Sequence, residues 1–196
     1  MKVVDGITQL SWWDVVANFI RGGKPPPAKR WTPTFVLNLV SGTALVMIVS
    51  IQWCTANYAI GLTFHDVKCM PGTVYWIAKE PLEIEDLQRG NIYSYRAEHL
   101  MPLVPDGQLM GKVAAALPGD RVDVDANGIR INGSKWGDLN AIVLQKSGLS
   151  VKDVTRSFVI AKDEVLMLGT LERSYDGRYW GPVKSKQLVG RTWRLW

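Results

Sequence analysis

Between Arg30 and Asp66 the chain carries no charged side chain, counting His65 as neutral, and this gap constrains the fold more than any other feature. Within it, Thr34 to Trp53 is an uncharged run of 20 residues. That is about the length an α-helix needs to cross a hydrocarbon core roughly 30 Å thick. Asn38, Ser41, Gly42, Thr43, Ser50 and Gln52 dilute the run without charging it. The competing reading is a buried core helix of a soluble domain, but such a helix normally keeps a charged face. Lys24, Lys29 and Arg30 precede the span, and Asp66 is the first charge after it. The positive-inside rule then predicts an N-terminus held inside and a C-terminal part sent across the membrane. Trp31 and Trp53 stand at the two ends, as interfacial aromatics do. A cleavable secretory signal fits less well, because about 30 residues precede the span and no small-residue cleavage site is obvious after it.

Composition narrows the rest. The chain has 196 residues, 47% hydrophobic and 21% charged, with two cysteines, which excludes disordered, collagen-like and disulfide-scaffold classes. The net charge of +5 is uneven: residues 1–30 hold five Lys/Arg against two acids, and the part from Asp66 onward holds 18 against 16. A nucleic-acid-binding domain would carry a basic excess in that larger part, so nucleic acid is not expected as a partner. Ahead of the span, Ile7 to Ile20 reads as a short helix with a weak Ser11/Asp14 capping box. Gly22, Gly23 and Pro25-Pro26-Pro27 break it into a stiff basic linker. This segment either lies on the inner membrane face, docks a partner, or is a plain tail. The expected division is 1–30 N-terminal segment, 31–56 anchor and 57–196 exported domain.

The exported part reads as mainly β. Short runs rich in Val, Ile and Tyr are expected as strands at Thr73–Ala78, Asn91–Tyr95, Met110–Leu117, Arg121–Val124, Ile129–Ile131, Ser157–Ile160, Glu164–Leu168 and Val189–Leu195. Pro118-Gly119-Asp120, Ala126-Asn127-Gly128 and Asn132-Gly133 punctuate them as turns, with a hairpin expected over Asp125–Ile131. Leu139–Gln145 and Val151–Arg156 offer helical turns. About 130 residues of this kind suffice for a core. Cys54 and Cys69 lie 15 residues apart; a bridge between them is the lesser reading, and a retained thiol in an oxidising compartment needs a task. His65 and His99 have no partner at ligand spacing, so no metal or other cofactor is expected.

Three segments share a resemblance. Lys112-Val-Ala-Ala-Ala-Leu-Pro-Gly-Asp-Arg-Val122 resembles the lysine box of type I signal peptidases, with the lysine six residues before a Pro-Gly-Asp turn. Ser174-Tyr-Asp-Gly-Arg-Tyr-Trp-Gly-Pro-Val183 resembles the family's last box, and Gly190-Arg191 follows as it does there. Cys69-Met70-Pro71 stands where the family has its nucleophile turn, and its continuation to Tyr75 is similar to the TraF-type branch found on conjugative plasmids. The resemblance implies a signal-peptidase-like β-barrel or sandwich behind a single N-terminal transmembrane helix, in the bacterial inner membrane, with the catalytic domain periplasmic. It implies a pilin precursor or other preprotein as substrate, membrane lipid as surroundings, conjugation-apparatus proteins as further partners, and, in some members, joining of the pilin ends into a ring. General preprotein processing is the runner-up; an inactive pilus-assembly component is the alternative of another class.

In that family an unprotonated lysine takes the proton of the nucleophile. A lysine ordinarily titrates near 10.4, so it must lose water to act near neutral pH. The apolar stretch Val113–Leu117 beside Lys112 suits that, and strand alternation would put Lys112, Ala114 and Ala116 on one face. Cys69 replaces the usual serine. A free thiol titrates about two units below lysine, which eases proton transfer within a Cys69–Lys112 dyad. The resemblance further implies that Ser174 orients the lysine, that Asp176 and Arg178 brace the site, and that Met70 and Pro71 shape the turn. Val67 occupies a position where some members carry a serine donor for the oxyanion, and valine has none. A thioester at Cys69 would be attacked by amines, relative to water, more readily than an oxygen ester, which favours ring closure.

Overall fold

A computed structural model of the chain describes residues 16–17, 20–22, 31–63, 69–100 and 102–196. Val16, Ala17 and Ile20 are helical. The remainder of the expected Ile7–Ile20 helix, the triple proline, His65 and Val67 lie outside the described residues. The chain divides into two compact units, residues 1–49 and 50–196.

Helix α1 runs Pro33–Asn57, and none of its residues is buried. It is long and apolar enough to cross a membrane. Thr32 Oγ1 accepts the Phe35 N–H at its start, and the Thr43 and Thr55 hydroxyls donate to the carbonyls of Leu39 and Ile51. The Thr43 and Thr55 hydroxyls are thus satisfied within the helix, as an apolar surrounding favours.

The strands that follow are β1 (Tyr58–Leu62), β2 (Val74–Lys79), β3 (Ile92–Arg96), β4 (Leu109–Ala116), β5 (Arg121–Asp125), β6 (Gly128–Ile131) and β7 (Ser134–Gly137). Short helices α2 (Ala141–Ser147) and α3 (Val151–Val154) lead to β8 (Arg156–Val159) and β9 (Glu164–Leu168). One turn of helix, α4 (Gly177–Trp180), precedes β10 (Val183–Lys184) and β11 (Leu188–Arg194). These form a seven-stranded sheet ordered β1-β2-β11-β3-β4-β9-β10 and a four-stranded sheet ordered β7-β6-β5-β8. Every pairing is antiparallel. The chain is therefore mainly β behind one N-terminal apolar helix.

Turn chemistry sets the register of the small sheet. Asp125 pairs with Gly128 across the β5–β6 turn, and the Asp125 carboxylate accepts the Asn127 N–H at 2.7 Å. Gly128 has φ 109°, and a side chain there would run into the backbone of Gly137 and Asp138. Between β6 and β7, Asn132 and Gly133 both take positive φ, 50° and 82°, the twist that suits a tight hairpin. Eight expected strands coincide with observed ones to within a residue or two, whereas β1, β7 and β10 were not anticipated. Tyr58–Leu62 continues α1 without a break, and Ser134–Gly137 and Val183–Lys184 are too short to show alternation.

Strand β9 holds the core together. Leu166 and Leu168 face one apolar cluster with Val122, Val124 and Ile129 of the small sheet, while Val165 and Met167 face another with Tyr93, Tyr95 and Ala114. Alternation along one strand, buried on both sides, thus joins the two sheets.

Candidate active site

Lys112 lies on β4, opposite Tyr93 of β3, and is only 1% exposed. Its Nζ donates to Ser174 Oγ at 2.9 Å. Among the described residues no carboxylate forms an ion pair with it. A buried ammonium without an anion costs several kcal/mol. The register of β4 shifts between Ala114 and Ala116, so the expected shared face of Lys112, Ala114 and Ala116 is interrupted. Ala114 joins one core cluster and Ala116 the other, and of the three only Lys112 lines the cavity described below.

Cys69 sits in the bend that precedes β2, and its thiol is free, as is that of Cys54. Two contacts fix this bend. The Tyr75 hydroxyl donates to the Pro71 carbonyl at 2.7 Å, and Met70 is buried against Tyr75 and Val113, with Cys69 and Ile92 packed alongside. Val113 is the neighbour of Lys112, so the packing under the cysteine turn and the strand of the lysine are the same. Burial raises the Tyr75 phenol above its ordinary value; Arg194 opposes this and the Cys69 charge adds to it. At Tyr95 burial leads again, with Asp176 and Cys69 raising the phenol further.

Gly169 joins the two halves of the site. A Cβ at this position would strike the Ser174 side chain and lie 2.7 Å from the Cys69 carbonyl oxygen. The backbone of Cys69 and the hydroxyl that holds Lys112 thus meet across a residue with no room for a methyl group. The Gly169 N–H donates to Asp176 at 2.8 Å, and its carbonyl accepts from Trp136 at 3.4 Å. Leu171 N–H reaches the Cys69 carbonyl at 3.4 Å. Nothing in the single sequence marks Gly169, since its constraint comes from residues 5 and 100 positions away.

Asp176 and Arg178 are 0% and 2% exposed and pair at 2.8 Å. Asp176 caps α4 by accepting the Arg178 N–H and also receives Arg178 Nε at 2.9 Å. The guanidinium reaches on to the carbonyls of Asp138 at 2.8 Å and Leu171 at 3.4 Å. Burial acts to lower the Arg178 value, but the Asp176 hydrogen bonds and charge outweigh it and raise it. The pair ties the Gly169–Leu171 loop to α4, which leaves its polar groups satisfied and the loop fixed.

Cys69 and Lys112 line one cavity of about 630 Å³, together with Met70, Tyr75, Ser94 and Tyr175. Pro71 and Ser174 do not line it but are hydrogen-bonded to the lining residues Tyr75 and Lys112. No cluster of His, Cys, Asp or Glu among the described residues could hold a metal ion. The arrangement brings a free thiol and a buried amine to one cavity.

Residues 31–196 match the family model described as signal peptidase, peptidase S26. Two Escherichia coli proteins, each named plasmid transfer protein TraF, are similar to the chain. One is 25% identical over 167 residues, covering 76% of this chain and 90% of that protein. The other is 29% identical over 150 residues, covering 68% and 82%. A solved signal peptidase I from Enterococcus faecalis is 25% identical, covers 54% of this chain and 96% of that one, and superposes with a TM-score of 0.34.

Proposed function

Because the chain belongs to the signal peptidase, peptidase S26, family, we propose that it is a membrane-anchored endopeptidase of conjugative transfer whose catalytic pair is Cys69 and Lys112. The names of the two TraF relatives support the conjugative setting. The observation that carries the catalytic assignment is the shared cavity of Cys69 and Lys112, with the lysine amine held by Ser174 at 2.9 Å.

In this mechanism Lys112 Nζ takes the proton from Cys69 Sγ, and the sulfur attacks the scissile carbonyl carbon. The oxyanion is stabilised by the Cys69 backbone N–H and a second donor. Collapse breaks the C–N bond, Lys112 returns the proton to the leaving amine, and a thioester remains on Cys69. Water, deprotonated by Lys112, releases an acid; an amine from the substrate's own N-terminus releases a ring. Sulfur at this position favours the amine route. Ser174 orients the lysine, and the Asp176–Arg178 pair holds the loop on which Ser174 rests.

We place residues 1–30 in the cytoplasm, the 31–56 segment in the bacterial inner membrane and residues 57–196 in the periplasm, on the charge asymmetry around α1. The substrate is a pilin precursor or similar preprotein. Expression of Cys69→Ala or Lys112→Ala with the precursor tests the assignment: loss of maturation in both is expected, and retained maturation in both would refute it. Mass spectrometry of pilin from Cys69→Ser cells tests the ring-closure step, where an unchanged yield of circular product would remove the thioester advantage.

A further inference from the structure

The cavity that holds Cys69 and Lys112 has mostly apolar walls. Among the described residues lining it there is no Asp or Glu, yet there are three basic side chains: Lys112, Lys146 and Arg173. Lys112 is accounted for by Ser174. Lys146 and Arg173 are exposed, and among the described residues neither pairs with a carboxylate. Elsewhere on the same domain Arg121, Arg130, Lys135 and Lys186 each meet an acid.

The two cations border one wall. Lys146 follows Val143 by one turn of α2, and Arg173 precedes Tyr175 by two residues; Val143 and Tyr175 pack in the same apolar cluster. Arg173 also directly precedes Ser174, the residue bonded to Lys112. A low-dielectric wall carrying charge of a single sign attracts the opposite charge more strongly than open surface does. Peptide bound against that wall gains from a carboxylate and loses from a further cation.

We propose that Lys146 and Arg173 are specificity-determining residues that select a peptide bearing a carboxylate, either an acidic side chain or a free C-terminus, for the Cys69–Lys112 cavity. The proposal rests on the peptidase reading and names its substrate class. Both cations are exposed, so the preference is moderate and weakens with salt.

The test uses the full chain in neutral detergent with a set of apolar peptides. Glutamate replaces one residue at a time, each peptide has a glutamine twin, and each is made with a C-terminal acid and a C-terminal amide. At one position, or at the C-terminus, the carboxylate form should have kcat/KM about tenfold above its neutral twin at low salt. That ratio should approach one in Lys146→Ala/Arg173→Ala, invert in Lys146→Glu/Arg173→Glu, and shrink at about 0.5 M salt. Affinity of the same peptides for the Cys69→Ala protein, which needs no turnover, should show the same ratio. The glutamate and C-terminal arms separate the two sources of carboxylate. A ratio near one throughout in the unsubstituted protein overturns the proposal, as does a ratio that survives both substitutions. Equal loss on charged and neutral peptides also overturns it, because the cations would then act on the Cys69 sulfur. So does an effect seen only with anionic vesicles, which would assign them to lipid. If Cys69→Ala still cleaves, the Cys69–Lys112 assignment fails, while the affinity ratio continues to judge the carboxylate preference.

Discussion

In the seven-stranded sheet and the loop after β9, Lys112, Asp176 and Arg178 are all buried, whereas in the four-stranded sheet Arg121, Asp123, Asp125 and Arg130 keep one side in water. The Arg130–Asp125 contact at 2.8 Å is as short as Arg178–Asp176 at 2.8 Å. Their surroundings differ. An exposed pair exchanges water for a partner at little net gain, while a buried pair whose partner is removed leaves a charge stranded in a poor solvent. Distance alone therefore says little about what a pair does; burial and the remaining hydrogen bonds decide it.

The sharpest way to break the comparison is at the buried amine and the sulfur. Cys69→Ala and Lys112→Ala should each lower the rate of precursor cleavage by on the order of a thousandfold or more, read as accumulation of uncleaved precursor in a timed assay. Next comes Asp176→Ala, expected to cost about 3–5 kcal/mol. Its Tm should fall by roughly 10 °C, and cleavage should fall with it, because the loop that carries Ser174 loses its brace. Thermal unfolding of Asp125→Asn, measured beside it, should show no resolvable change. If the two substitutions shift Tm equally, the contrast between the sheets is wrong.

Gly169→Ala probes the join between the Cys69 bend and the Ser174 hydroxyl that holds Lys112. The added methyl group should destabilise by about 1–3 kcal/mol but reduce kcat by about a hundredfold, since it pushes apart Ser174 and Cys69. A loss of rate no larger than the loss of folded protein would make Gly169 merely a packing residue. The smallest effect is expected at Asp120, in the turn between β4 and β5. Burial acts to raise its carboxyl, but the Leu117 N–H, Asn132 and Arg89 outweigh this and leave it below the ordinary value of 3.8. A depressed carboxyl stabilises the fold fully above its unfolded pKa and loses that contribution as pH falls through the folded value. Tm measured against pH should therefore drop below about pH 4, and Asp120→Asn should flatten that limb.

The small sheet was the more legible region, because Asn127-Gly128 and Asn132-Gly133 are local signals that settle strand ends within a few residues. In the large sheet, strand positions could be read but their order could not: β11 inserts between β2 and β3, a pairing between segments far apart in the chain. Lys112, Ser174, Asp176 and Arg178 were nameable only through a family resemblance, since none is unusual in its own segment. The register shift after Ala114 was invisible because a bulge replaces no residue type. Gly169 belongs to the same class, its constraint arising where the Cys69 bend meets the loop after β9.

The central claim is that the sulfur of Cys69 forms a bond to the substrate acyl group with Lys112 receiving its proton. Intact-mass analysis of the full-length protein, quenched in acid during turnover of the precursor, tests it directly. The account predicts an acyl adduct that maps to Cys69 and is absent from Cys69→Ala and Lys112→Ala. Continued cleavage with no adduct at Cys69, or an adduct on another residue, would contradict it.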